Sequence, residues 1–157
     1  MSQPEYQEIN SESIPEVQSD GVRIRLLAGQ YANQQGAVHD PNTNVQYFDI
    51  HLEGSKTFLT NTPATHNAFV YVYEGSAQIN NANLPRHSLT ILSEGDSLTL
   101  QAGESGARLI FVSGQPIKEP IVQYGPFVMN TRAEIEQAFA DYQSGKFANI
   151  KADMKIR

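Results

Sequence analysis

The feature that most constrains this chain is a two-residue rhythm of apolar and polar side chains, broken at short intervals by turn formers. Val22, Ile24 and Leu26 alternate with Arg23 and Arg25. Phe48, Ile50 and Leu52 alternate with Tyr47, Asp49, His51 and Glu53, and the run stops at Gly54. Successive side chains of a strand point to opposite faces, so each run predicts a strand with one buried face. Further strands are predicted at 57–60, 67–73, 77–79, 89–92, 98–101 and 107–112. Polar turn clusters fall between them at Asn80-Asn81-Ala82-Asn83, Ser93-Glu94-Gly95-Asp96 and Ala102-Gly103-Glu104-Ser105-Gly106. Many short strands at near-regular spacing imply an all-β sandwich or barrel.

Two segments depart from this rhythm. Residues 1–20 have no clear period and carry Pro4 and Pro15, which predicts an extended N-terminal arm or linker ahead of a single domain over 21–157. Near the other end, Thr131 and Glu134 form a capping box, in which each side chain satisfies a free backbone N–H of the first helical turn. Ile135, Ala138, Phe139 and Tyr142 then recur at helical spacing, and Gly145 supplies the C-terminal stop. The helix is predicted over about 132–144. Its apolar stripe needs a cover, either the outside of the barrel or a partner.

Composition narrows the function. A chain of 157 residues, 39% hydrophobic and 18% charged, suits one globular domain with a real core. The net charge of −6 argues against nucleic-acid binding, which needs clustered Lys and Arg. The basic tail from Lys151 to Arg157 reads as a solvated end. No cysteine is present, so disulfides, thiolate nucleophiles and thiolate metal sites are excluded. No apolar run approaches the ~20 residues of a membrane span. Residues 1–20 lack the basic and apolar regions of a signal peptide, so no membrane contact and a cytoplasmic location are expected.

The chemistry-bearing residues are few. A metal-dependent oxygenase needs about three imidazole or carboxylate ligands on one ion. The four histidines are His39, His51, His66 and His87, and no two are spaced as His-x-His or His-x-x-x-His. No metal site, cofactor or catalytic residue is therefore predicted. His66 is the single candidate for a barrel-pocket residue, because it shares parity with Thr62, Ala64, Ala68, Val70 and Val72 on the face expected to line the interior. It reads either as a pocket-lining residue or relic ligand, or as a structural histidine bonded to nearby backbone. His51 and Glu53 lie opposite Phe48, Ile50 and Leu52 and are expected to face solvent, while His39 and His87 fall in exposed turns. Tyr71 and Tyr73 are expected to pack against a second layer such as the helix. No serine sits in a Gly-x-Ser-x-Gly elbow, and no phosphate-binding glycine loop is present.

The string His66-Asn67-Ala68-Phe69-Val70-Tyr71-Val72-Tyr73-Glu74-Gly75 resembles the first signature motif of the cupin β-barrels. In a metal-binding cupin that strand follows a His-x-His pair and carries a glutamate three residues before the first tyrosine. Thr62, Ala64 and Ala68 stand in those places here. Two further strings extend the likeness: Gly114-Gln115-Pro116-Ile117-Lys118-Glu119-Pro120-Ile121-Val122, and Gly125-Pro126-Phe127-Val128-Met129-Asn130-Thr131 with the helix and Asp141-Tyr142-Gln143-Ser144-Gly145-Lys146-Phe147 after it. Together they resemble the C-terminal half of the pirins, over residues 4–147, and the third string is the most specific.

That resemblance implies a cupin fold, a double-stranded β-helix or jelly-roll barrel with one C-terminal α-helix. Residues 4–9 look like the segment that joins the two cupin domains of a pirin. In pirins the mononuclear iron and the associated quercetin dioxygenase activity belong to the N-terminal domain, which is expected to lie outside this chain, so no catalytic residue carries over. The expectation is a cupin domain without its own metal site, non-catalytic, acting in assembly or in protein or small-molecule binding. Its partner would be a second copy, bridged by the arm or the helix, or a separate domain similar to the pirin N-terminal half. The alternative is a metal-dependent quercetin-type dioxygenase.

Overall fold

The computed structural model describes residues 5–147 and 153–156. In chain order its strands are β1 (Glu5–Glu8), β2 (Glu16–Ser19), β3 (Val22–Ala28), β4 (Gln30–Tyr31), β5 (Gln34–Gln35), β6 (Gln46–Leu52) and β7 (Thr57–Asn61). β8 (Asn67–Ile79), β9 (Ala82–Leu84), β10 (Ser88–Ile91) and β11 (Ser97–Gly114) follow. The chain continues with β12 (Val122–Tyr124), β13 (Phe127–Met129), helix α1 (Arg132–Gln143) and β14 (Asp153–Ile156). It divides into two compact units: Ile9–Pro116, and a second drawn from both ends of the chain.

The unit Ile9–Pro116 is an antiparallel sheet in the order β10-β8-β11-β6-β3-β2, with β7 pairing onto β11 and β9 onto β8. The long strands β8 and β11 run together through both parts of this arrangement. Residues 107–113 of β11 pair with β6, whereas Ser97–Gln101 pair with β7. The predicted alternation is realised: Ile24, Leu26, Phe48, Ile50 and Leu52 are all buried. Phe48, Phe58 and Phe111 are among the largest fully buried side chains, and they lie in the one core cluster that β3, β6, β7, β8 and β11 share.

The turn predicted at 102–106 is instead part of β11, and the separate strands expected at 67–73 and 77–79 are one strand, β8. The reason is a pair of glycines. Gly75 has φ +70° and Gly106 φ +85°, and a Cβ on Gly75 would strike the Gly106 carbonyl. The register slips between Ala102 and Ala107, and again between Arg108 and Leu109, where Tyr73 is the extra residue on β8. Such bulges bend a strand and re-aim its side chains without ending it. Inward positions accordingly change from even (Val70, Val72, Leu98, Leu100) to odd (Ala77, Ala107, Leu109, Phe111).

Part of the segment read as an arm also belongs to this sheet. β2 and β3 form a hairpin with Glu16 opposite Arg25 and Ser19 opposite Val22. Asp20 and Gly21 between them both have positive φ, 45° and 78°, as a two-residue type I′ turn requires. Residues 1–4 of the expected arm lie outside the described residues.

In the second unit, β12 and β13 pair as a short hairpin and α1 lies against it. The capping box is present: Glu134 N–H donates to Thr131 Oγ1 at 3.2 Å, and Thr131 N–H to Glu134 Oε2 at 2.8 Å. Ser144 caps the helix end, and Gly145 follows with φ +70°. Ile135, Ala138 and Phe139 of the apolar stripe pack on the hairpin, while Tyr142 stays largely exposed. Phe127 meets Phe139 edge-on at 4.9 Å and Phe147 at 5.1 Å. β14, within the basic tail, pairs in parallel with β1, and the other residues of that tail lie outside the described ones. Among the described residues no helix is long and apolar enough to cross a membrane.

Candidate functional site

The places where a metal-binding cupin carries its ligands fall at one mouth of the barrel. Thr62 and Ala68 are buried there, but Ala64 is exposed, against the parity expectation. Residues 63–66 form a turn, closed by the bond from His66 N–H to the Pro63 carbonyl at 2.9 Å, so strand alternation does not run through them. His66 is half-buried, and the turn, not strand parity, sets its placement.

A small hydrogen-bonded set occupies this mouth. Ser113, fully buried at the end of β11, donates to Gln46 Oε1 at 2.7 Å and accepts from Thr62 Oγ1 at 3.0 Å. His66 Nδ1 lies 3.5 Å from the same Ser113 oxygen, at the long limit of a hydrogen bond. Beside His66 opens a cleft of about 410 Å³, lined also by Gln30, Tyr31, Asn33, Asn44 and Gln46. Tyr31 is a fixed wall of it. Its ring stacks on Phe58 at 5.6 Å and meets Phe48 edge-on at 5.9 Å, and its hydroxyl donates to the Leu59 carbonyl at 3.3 Å. Burial raises the Tyr31 pKa, which keeps it a neutral donor.

This donor set does not fit an oxygenase metal. The Ser113 hydroxyl is surrounded by one imidazole, one further hydroxyl and an amide, and among the described residues no three His, Asp or Glu side chains converge as metal ligands. What the set can do chemically is exchange hydrogen bonds with an uncharged guest.

The outer face of the same strands carries the charged chemistry. Arg23 Nη2 donates to His51 Nδ1 at 2.5 Å, which assigns the proton of a neutral imidazole to Nε2. Nε2 lies 2.9 Å from the Tyr73 hydroxyl, which in turn donates to Asp49 Oδ1 at 2.7 Å. The Tyr73 pKa is pushed well above 10.0, first by burial and then by its bond to the Asp49 carboxylate. His51 is held below its ordinary 6.5, chiefly by burial, with Asp49 opposing and Arg23 and Arg108 reinforcing. Around this chain lie the ion pairs Arg25 with Glu16 at 3.1 Å and Arg108 with Glu74 at 3.3 Å.

His51 therefore lies on the outer face, as its parity required, but its side chain is only 19% exposed rather than open to solvent. Arg23 from the adjacent β3 and Tyr73 from β8, beyond β11, bond its two ring nitrogens. Glu53, His39 and His87 are exposed as expected. The Tyr73 hydroxyl bonds Asp49 and His51, where a contact with a second layer had been expected. Sequence reasoning missed Gln46 and Ser113. The signal was present: Gln46 is in phase with Phe48 and Ile50, and Ser113 with Leu109 and Phe111, so each is a polar residue on an apolar face.

Comparison with known proteins agrees with this geometry. Residues 47–148 match the Pirin C-terminal cupin domain family. A pirin-like protein of Solanum lycopersicum is 38% identical over 150 residues, covering 93% of this chain and 51% of that protein. Human pirin is 31% identical over 151 residues, covering 93% and 52%. A crystal structure of quercetin 2,3-dioxygenase from Acinetobacter baumannii superposes with a TM-score of 0.78 at 36% identity, over 91% of this chain and 50% of that one. The chain spans about half the length of the curated relatives it matches. With the barrel, the capped helix on its hairpin and the matched residues in agreement, this chain belongs to the pirin family, as a C-terminal cupin domain.

Proposed function

We propose that this chain is a non-catalytic pirin-type cupin domain with no metal site of its own, acting by binding. Its partners in this reading are a second copy of itself or a separate domain like the pirin N-terminal half, together with a small molecule at the barrel mouth. The observation that carries the reading is the set Gln46, Thr62, Ser113 and His66, which presents one imidazole and no carboxylate where a cupin metal would sit. Elemental analysis of the purified chain tests it. No stoichiometric iron, nickel or copper is expected, and stoichiometric metal lost in His66→Ala overturns the reading. The assembly part predicts a dimer mass by light scattering at micromolar concentration, and a monomer mass sinks it. Cytoplasmic residence belongs to the same proposal.

A second reading is a metal-dependent quercetin-type dioxygenase, favoured by the likeness to the Acinetobacter enzyme. That likeness covers half of the enzyme, so the activity would belong to a longer assembly. Quercetin consumption by this chain alone, abolished by a chelator, would establish it over the first.

A further inference from the structure

The stretch from Gln30 to Gln46 is unusually rich in side-chain amides: Gln30, Asn33, Gln34, Gln35, Asn42, Asn44 and Gln46. Four of these, Gln30, Asn33, Asn44 and Gln46, line the mouth cleft. Turn formation accounts for Asn33 and Asn44, whose φ values are 63° and 47°. It does not account for Gln30 and Gln46, which stand on strands β4 and β6. The β4–β5 hairpin turns through Ala32 and Asn33, both at positive φ, a conformation that side chains other than Gly and Asn rarely adopt. That tight tip places Gln30, Tyr31 and Asn33 on one rim of the cleft.

Among the described residues no Asp, Glu, Lys or Arg lines this cleft. A carboxylate or phosphate guest would need a cation there, and an ammonium guest a carboxylate. An amide both donates and accepts, as a hydroxyl does, so four amides around one hollow match a guest carrying several hydroxyls. The Tyr31 ring, held by Phe48 and Phe58, supplies one flat apolar wall for the C–H face of such a guest. At about 410 Å³ the hollow lies toward the small end of ligand pockets. Gln46 joins it to the interior: its Oε1 is taken by Ser113, while its Nε2 makes only a 3.4 Å contact with the Asn61 carbonyl and is free to change partner.

We infer that the mouth cleft takes an uncharged cyclic polyol, of monosaccharide or cyclitol size. This deepens the binding reading above and rests on it. The test titrates ¹⁵N-labelled full chain with myo-inositol and with D-glucose, using D-glucuronate as the charged counterpart and quercetin as the flat aromatic one. Saturable shifts of the Gln30, Asn33, Asn44 and Gln46 amides are expected with a Kd on the order of 1 mM, and weaker binding of glucuronate. Gln30→Leu, and Asn44→Gly, which keeps a left-handed backbone permissible, should each weaken binding about fivefold. Absence of saturable shifts by about 100 mM polyol overturns the inference. So does glucuronate or quercetin binding more tightly than both polyols. A metal-free chain that ignores both polyols sinks this inference and leaves the metal-free reading standing, whereas bound stoichiometric metal sinks that reading on its own terms.

Discussion

The barrel mouth and the outer face are made from the same strands, one residue apart, and they hold opposite chemistry. On β6, Gln46 points to the mouth set while Asp49 and His51 point to the outer network. On β8, Ala68, Val70 and Val72 are buried, and Tyr73 and Glu74 turn outward. Inside, where desolvating a charge is costly, Gln46, Thr62 and Ser113 are uncharged and bonded to one another. Outside, arginines and carboxylates alternate across neighbouring strands and are paired but partly wet. The difference teaches that parity, reset by a glycine-bearing irregularity between Ala102 and Ala107 and by a bulge at Tyr73, decides which residues of this domain can carry charge.

The largest effect should come from breaking that parity at its source. Gly75→Ala adds a methyl against the Gly106 backbone at φ +70°, and should destabilise by about 3 kcal/mol in urea unfolding. A tolerated alanine would mean that the bulge does not fix the two faces. Next comes the mouth: Ser113→Ala leaves Thr62 and Gln46 without their shared partner and should cost about 1–3 kcal/mol.

The outer network should respond less, and to pH. The folded form holds His51 below 6.5, so the unfolded chain binds more protons there as acid is added. This contribution is present above 6.5 and is lost as pH falls through the lower folded value. Thermal midpoints measured between pH 7 and pH 5 should drop, and His51→Gln should flatten that slope. A slope unchanged in His51→Gln would remove His51 as its source. The smallest effect belongs to the rim: Arg108→Ala loses a half-exposed ion pair with Glu74 and should cost about 0.2–1 kcal/mol, less at high salt. A larger loss than for Ser113→Ala would invert the comparison.

Much of this architecture was legible in the sequence. The alternation at Val22–Leu26 and Phe48–Leu52 gave strands and their buried faces, and the Thr131–Glu134 capping box gave the helix start. The glycines at 75, 103 and 106 misled, because a glycine cluster looks the same whether the chain turns back or bends onward. Which occurs depends on the facing strand, a long-range fact. The Asp20-Gly21 hairpin was legible and missed, since its first strand, Glu16–Ser19, has no apolar rhythm of its own. Of the site, a polar residue on an apolar face could be read at Gln46 and at Ser113, whereas the turn at 63–66 interrupts the parity used for His66. The union of Gln46, Thr62 and Ser113 could not be read, because it joins three elements far apart in sequence.

The glycines packed against facing segments differ in how their crowding could be repaired. A methyl at Gly103 would meet the Ser76 hydroxyl, a movable side chain that a second substitution could shorten. A methyl at Gly75 would meet only main-chain atoms of Gly106 and Ala107, and a methyl at Gly54 only those of Glu104. No replacement elsewhere makes a peptide group smaller. Positions 54 and 75 should therefore lack second-site suppressors in a saturation screen, while 103 should regain tolerance when Ser76 is trimmed to glycine.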